Sequence, residues 1–590
     1  MMKLKLMNRF FSFRKIELIF LILFTMYFAY YTYVSQFNVV FLGWFFQIPL
    51  FQKYFDHTLV FNDLLAFSFG EHGMLGYNIV SLFNLVFLKW NTLFDAYLNV
   101  FIVFFTGLIF YFSYKRSFSG NYQKLTKFLI VIPMAVLFSI VQQSSASMET
   151  QIRLGLLSFF ITSFLLSNYL ISPKKEKWWW IIVSLFLSIN VFGTMYSFSW
   201  IPGFLFVICF NIFKNKKITL KELFIIFAVV VFGILYFLEY KIGSRVVNLA
   251  SDMTLLESFQ KIISSPIDAV KFMLVYLGGS TLSRTLFESR LIVYLPVFFI
   301  NGIFVVLVYL FSLIKFFSLK IYRKSWLPLI MMTYTPTIGL MIMIGRNLSW
   351  NWGTNYWYAV HTKIGLAACL WVIIYDFIQR YKVSKINYIS IAVVGFVLVS
   401  QLFSTIGDWQ RSPYVRDWYK VKADYMYNPE KDNLDSNNDT PLIASYSTSI
   451  EVINFLKKYG LNVFSKPIKK QINKTGWYSD GWISKEASID IVSGKDGILA
   501  MKVYLPKDIF VNFYKNSLEM TVLSDKNILM SKIFLENDFN DNVVILSINL
   551  PKDSNLNLKI KLNKSFVPAK VGLSTDDREL GIVVKDFSVK

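Results

Sequence analysis

The residues able to do chemistry gather in one stretch of the chain. Asp56, His57, Asp63, Glu71 and His72 lie near one another, between apolar and aromatic runs. A carboxylate placed there can act as general base toward a hydroxyl, provided it comes within about 3 Å of the proton it takes. Asp63 and Glu71 are the base candidates, and His72, next to Glu71, orients that carboxylate and completes the catalytic set. A loop carboxylate taken singly can equally be solvated. An acid–imidazole group embedded in apolar sequence needs a reason. A second acidic site is Glu149, in SSASMETQIR with Arg153, where the other reading is an ion pair at a span end that sets topology. Arg346 stands in GRNLSWNWGTNYWYAVHTK. A guanidinium fork matches phosphate oxygens, and an arginine at a span end also snorkels toward water. The surrounding Trp350, Trp352, Tyr356, Trp357 and Tyr358 suit an interfacial aromatic belt and a sugar-stacking platform alike.

What must position these residues is a membrane. Of the 590 residues, 55% are hydrophobic and 16% charged, with a mean hydropathy of +0.48. A soluble domain carries about 25% charged residues. The net charge of +23 does not point to nucleic acid, because the basic residues sit in short clusters between apolar runs, as the positive-inside rule places them. These clusters are Lys3–Lys15, Lys115–Lys127, Lys174–Lys177, Lys214–Lys221, Lys315–Lys324 and Arg380–Lys385. They predict a cytoplasmic N-terminus, an uncleaved first span and about eleven transmembrane helices of roughly 20 residues each. The expected spans are 16–35, 92–114, 127–143, 153–172, 178–194, 196–213, 220–239, 291–316, 326–345, 358–379 and 386–406. The stretch 178–213 reads also as one span plus a re-entrant piece. An odd number of spans places the C-terminus outside. The transmembrane domain covers 1–407, with long outer loops at 36–91 and 240–290. Within them NVVFLGWFFQIPLF, YNIVSLFNLVFLKW and VKFMLVYLGG read as interfacial or re-entrant helices. Cys209 and Cys369 lie in apolar runs with no metal spacing, and read as packing residues.

After this bundle the pattern changes. Residues 408–470 read as a linker with short helices, among them IEVINFLKKYGLNVF, stopped by Gly460. Over 471–590 the hydrophobicity alternates in ASIDIVS, ILAMKVYLP, SLEMTVLS, NVVILSINLP, LNLKIKLN and GIVVKDFSV. Short alternating runs separated by Asp, Asn, Gly and Pro predict an all-β sandwich or jelly roll. There is no P-loop, no GxGxxG before a helix, no HExxH and no GxSxG.

The layout resembles the bacterial GT-C-superfold membrane glycosyltransferases that end in an extracytoplasmic β-sandwich. FGEHGMLGYNIVSLFNLVF is similar to the family's Asn-Glu-His-Arg-like motif, with Glu71 and His72 kept and Gly70 and Gly73 in place of the Asn and Arg. METQ resembles its Glu-Asn motif, with Glu149 kept and Thr150 replacing Asn. GRNLSWNWGTNYWY resembles its Gly-Arg and Ser-Arg-Tyr stretch, with Arg346 and Tyr358 kept and Trp357 replacing the second arginine. TGWYSDGWISKEASIDI and SFVPAKVGLSTDDRELGIVVKDFSV resemble the opening and close of the β-domain, the latter with Pro568, Asp576, Arg578, Leu580 and Gly581.

The resemblance implies transfer of a sugar from a polyprenyl-phosphate carrier to a cell-envelope polysaccharide, on the outer face of the cytoplasmic membrane. It implies Asp63 or Glu71 as base and Arg346 with Tyr358 at the donor phosphate. The β-domain then holds the acceptor glycan, with Trp477, Trp482, Asp576 and Arg578 as its motif; core and turn fixtures are the other reading of those four. The scheme requires no cofactor and no metal, and it leaves room for a divalent cation at Asp63, Glu71 and Glu149. Two other functions fit part of the pattern. A glycan polymerase or ligase would use Arg245, Arg284 and Arg290 of the second outer loop. A glycolipid transporter or assembly protein would show inverted repeats, which are not visible.

Overall fold

Apolar runs of this length, with basic residues at their ends, satisfy their backbone groups internally only as helices. The computed structural model bears that out. It describes residues 16–40, 45, 47–65, 67–68, 72–73, 75–118, 126, 128–140, 150–172, 178–193, 195–242, 255–283, 291–345, 348, 353, 358–381, 388–427, 446–465, 474–478, 480–493, 497–505, 507–515, 517–524, 527–535, 538, 543–552, 554–572 and 576–589. The chain divides into two units, Met1–Ser465 and Lys466–Lys590.

The first unit is helical. In chain order its main helices are α1 (Ile16–Ser35), α2 (Ile48–Phe55), α3 (Leu75–Leu88), α4 (Thr92–Ser117), α5 (Thr150–Ile171), α6 (Trp179–Phe186) and α7 (Ile201–Asn215). They continue as α8 (Leu220–Ile242), α9 (Leu255–Ser264), α10 (Pro266–Gly278), α11 (Leu291–Ser318), α12 (Leu327–Gly345), α13 (Ala359–Tyr381), α14 (Tyr388–Tyr427) and α15 (Tyr446–Tyr459). Among the described residues nine helices are long and apolar enough to cross a bilayer: α1, α4, α5, α7 with the turn before it, α8, and α11 to α14. Two expected spans are not among them. The described part of 127–143 carries the seven-residue helix Val131–Leu137. The run 178–194 is α6, closed by a π turn over Leu187–Val191, and is short for a crossing. Among the described residues 178–213 thus carries one helix long enough to cross and one shorter apolar helix. Helix α13 is central, since 94% of its most apolar stretch is buried by other helices.

Helix α14 has 40 residues. At about 1.5 Å per residue it is roughly twice as long as a hydrocarbon core of about 30 Å. Its polar half, where the sequence predicts a linker, is helix as far as Tyr427. Its end packs with α2, α3 and α15 in a second apolar cluster that includes Phe51, Leu85, Trp90, Tyr419, Met426 and Leu456. Asn462 pins this cluster from a left-handed turn (φ 51°). Its amide donates to Asn38 Oδ1 (2.8 Å) and the Trp90 carbonyl (2.9 Å), and its Oδ1 accepts from the Val40 N–H (3.1 Å). Helix α15 ends at Gly460 (φ 60°), the residue expected to stop it.

The second unit is all-β apart from one short helix. Its sheet is eight-stranded and antiparallel: β3 (Lys474–Trp477), β4 (Trp482–Val492), β5 (Ile498–Tyr504), β6 (Ser517–Ser524), β7 (Asn527–Leu535), β8 (Val543–Asn549), β9 (Asn555–Leu562) and β10 (Ile582–Val589). β1 and β2 are the two-residue strands Phe67–Ser68 and His72–Gly73 of the first unit. The order is β7-β6-β9-β4-β10-β5-β8, with β3 on β4. The two end strands approach each other, so one sheet curls nearly into a barrel instead of splitting into two layers. The six alternating runs are β4, β5, β6, β8, β9 and β10. Along β6 every second side chain is buried, as a strand with one face on a core requires.

Candidate functional site

The segment between α1 and α3 is built around Asp63. A four-residue helix, Phe61–Leu64, carries it. Its carboxylate accepts from the Val60 N–H (3.0 Å) and pairs with Lys53 of α2. Burial pushes the Asp63 carboxyl up, but the bonds from Lys53 and Val60 outweigh this and hold it below the usual carboxylate range. Asn78 of α3 donates to the Leu64 carbonyl (2.9 Å) and fixes α3 to the same turn. Between them lies a small hairpin in which β1 pairs with β2, Ser68 opposite His72 and Phe67 opposite Gly73. Glu71 belongs to the three residues that join Ser68 to His72 and lies outside the described residues, as do Glu149 and Arg346. For His72 the backbone alone is described. Tyr358 is buried at the start of α13 and interacts electrostatically with Tyr276 of α10.

Helix α3, which follows the hairpin, meets the bundle at Phe192, the residue that ends the π turn. A Cβ at Gly76, in the first turn of α3, would lie 2.4 Å from the Phe192 ring and 2.7 Å from the Val191 carbonyl oxygen. A Cβ at Gly155, in the first turns of α5, would lie 2.8 Å from the Phe192 carbonyl oxygen. Only glycine permits both approaches. They bring α3 and α5 onto one residue, while β2 packs against α8. Two residues before Gly155 is Arg153, 1% exposed. Its guanidinium carbon is 5.9 Å from the centre of the Phe28 ring, and it borders a cavity of about 30 Å³ whose other walls include Thr106, Phe160, Val360 and Ile364.

Arg153 acts electrostatically on His361 of α13. His361 is fully buried. Its Nδ1 is 2.5 Å from the Tyr334 hydroxyl, the Tyr196 ring lies 5.2 Å away centre to centre, and its Nε2 is buried without a hydrogen-bond partner among the described residues. One half-turn further on, Lys363 is also buried. It donates to the Ser280 carbonyl (3.2 Å) and to Gln401 Oε1 (3.1 Å) of α14. Gln401 donates in turn to the carbonyls of Ser280 (3.0 Å) and Thr281 (3.2 Å). The counter-charge is Asp408, buried in α14, which acts on Lys363 through space and accepts from the Ser283 hydroxyl (2.9 Å). A buried ionisable residue in a spanning helix marks a functional cavity or a structural pair. Here Arg153, His361, Lys363 and Asp408 form a polar layer at the same end of the bundle as the hairpin.

Sequence reasoning did not assemble this layer. The sequence sets Arg153 beside Glu149 at a span end, and AVHTK shows a histidine and a lysine in the first turn of an apolar run, a signal for burial that the spacing alone leaves unpaired. Among the described residues no group of three or more His, Cys, Asp or Glu side chains is arranged to hold a metal ion.

In the second unit the four motif residues have structural partners. Trp477 Nε1 donates to the Ser488 carbonyl (3.0 Å), and Trp482 meets Phe566 edge to face. Arg578 donates to Asp576 (2.7 Å) and Asp480 (2.7 Å) and lies 4.9 Å from the centre of the Tyr478 ring. The guanidinium thereby clasps the β3–β4 turn. Hydrogen bonds from Arg578 hold the Asp576 carboxyl below its ordinary value.

Compared with protein-family models, with curated proteins and with solved structures, the chain matches none.

Proposed function

We propose that this chain is a membrane glycosyltransferase of the GT-C kind, which moves a sugar from a polyprenyl-phosphate carrier to a cell-envelope glycopolymer. The observation that supports this most is the meeting, around Phe192, of the helix that follows the acid–imidazole hairpin with a turn that carries the buried Arg153. A lipid-phosphate sugar needs such a place, where an apolar bundle borders a base and fixed cations. Glu71 is the base and His72 orients it. Asp63 already holds Lys53 and the Val60 N–H, so its role is to set the loop. The acceptor hydroxyl attacks the sugar C1, its proton passes to Glu71, the C1–O bond to phosphate breaks, and polyprenyl phosphate leaves. Arg346 and Tyr358 take the developing phosphate charge, with Arg153 as a buried cation behind them and Glu149 as the adjoining acid. The N-terminus lies in the cytoplasm and the β-domain outside, where the acceptor glycan is. No cofactor is required, and Asp63, Glu71 and Glu149 leave room for a divalent cation.

The test compares the surface glycan of cells with and without the gene, complemented by wild type or Glu71→Gln at equal membrane levels. The expected result is that one sugar substituent vanishes with the gene and returns with wild type alone. Full restoration by Glu71→Gln removes Glu71 as base, and an unchanged glycan in the deletion strain removes the activity.

A further inference from the structure

One carboxylate outside this set stands at the end of a span with no cation paired to it among the described residues. Glu239 closes the apolar stretch Leu220–Glu239 of α8 and is half-buried. Its Oε1 accepts from Asn190 Nδ2 (3.3 Å). No lysine, arginine or histidine among the described residues pairs with it, and its Oε2 has no protein partner among them. Asn190 is 4% exposed. One amide hydrogen goes to Glu239 and the other to the Phe232 carbonyl (3.2 Å), while its Oδ1 is buried without a partner.

Two features set Glu239 apart from a glutamate that merely reaches for water. Its support is a buried amide whose hydrogen-bonding hydrogens are both used on α8. That amide sits in the π turn Leu187–Val191, a wide turn that is rare in helices and recurs at functional sites. The next residue is Phe192, against which Gly76 and Gly155 pack, and β2, with His72, packs on α8. One π turn thus joins the helix that follows the hairpin, the Arg153 turn and Glu239.

We propose that Glu239, held in place by Asn190, recognises the transferred sugar by accepting a hydrogen bond from one of its hydroxyls. The inference rests on the glycosyltransferase reading. No cation among the described residues offsets the Glu239 charge, and a carboxylate so placed repels phosphate, so the carrier end of the donor does not bind there. A calcium ion takes about six to eight oxygen ligands, and this pair offers too few. Hydroxyl donors fit it. Glu239 touches substrate in this scheme, and Asn190 is a positioning residue.

The probe is the lipid-linked sugar that the deletion strain accumulates, presented to membranes that carry wild type, Glu239→Gln, Glu239→Asp, Asn190→Ala or Glu71→Gln. The expected result is a KM at least tenfold higher for Glu239→Gln, with kcat changed little. Glu239→Asp recovers part of that loss and Asn190→Ala falls between. Glu71→Gln loses kcat instead. Equal unfolding midpoints in detergent for wild type and Glu239→Gln separate recognition from folding. Wild-type kinetics in Glu239→Gln overturn the inference and leave the glycosyltransferase reading standing. A deletion strain with no accumulated donor and an unchanged surface glycan overturns that reading and the inference with it.

Discussion

The two ends of α13 handle buried charge in opposite ways. Near its last turn, Asp376 is bracketed by Lys315 (3.3 Å) and Arg380 (3.1 Å). Near its first turn, Lys363 is dressed by a carbonyl and a side-chain amide, with Asp408 acting from α14. His361 beside it keeps a buried nitrogen without a hydrogen-bond partner among the described residues. Charge matched by charge locks helices together. Charge supported by neutral dipoles keeps part of its field, which is what a site for an anionic ligand needs. The first end is a staple, and the second is the end on which the buried Arg153 acts through His361.

The strongest way to break this contrast is at the staple. Asp376→Ala empties a buried carboxylate position, leaves its two partly exposed cations facing each other and lowers stability by about 3 kcal/mol, read as the unfolding midpoint of the detergent-solubilised protein. Transfer per folded molecule stays within about twofold of wild type. If activity falls further than the folded fraction does, the two ends are not functionally distinct. Lys363→Met is the counterpart. It removes a donor from Ser280 and Gln401 and a counter-charge from Asp408, and costs about 2 kcal/mol. Unlike the staple variant, it lowers transfer per folded molecule at least tenfold. A purely structural Lys363 would show the first effect without the second.

Asp63→Asn sharpens the contrast inside the loop between α1 and α3 and has the smallest effect, about 1 kcal/mol for a weakened cap and a lost lysine pair. Because the folded-state pKa lies below the unfolded value of about 3.9, the stabilisation from Asp63 is whole above about pH 4 and fades as pH falls through the folded value. The difference between wild type and Asp63→Asn should therefore shrink on acidification below pH 4. A difference that persists there would show that the carboxylate's charge contributes nothing to holding the loop.

How much of this was legible depends on whether the signal is local. The stop of α15 at Gly460 and the strands from β4 to β10 follow from one residue type or from strict alternation, with one exception. In β7, NILMSKIFL shows no regular alternation and both faces are partly exposed, so its pattern does not announce a strand. The polar half of α14 loses the apolar signal where the helix leaves the apolar core, although the helix itself continues. Within the site, the sequence marks the hairpin, because acids and an imidazole crowd there. It cannot join Lys363 to Gln401 and Asp408, or Asn190 to Glu239. Those partners lie on different helices, and only packing puts them in reach. Arg153 shows the same limit, since nothing in its stretch of sequence tells that it acts on His361.

The central claim is that a polyprenyl-phosphate sugar is consumed at this site with Glu71 as base. The most direct measurement is mass spectrometry of the membrane lipids from wild-type, deletion and Glu71→Gln cells. The account predicts that one polyprenyl-monophosphate sugar accumulates in the deletion and Glu71→Gln strains and is low in wild type, with loss of the same sugar from the surface glycan. Identical lipid pools and identical glycans in all three strains would contradict it.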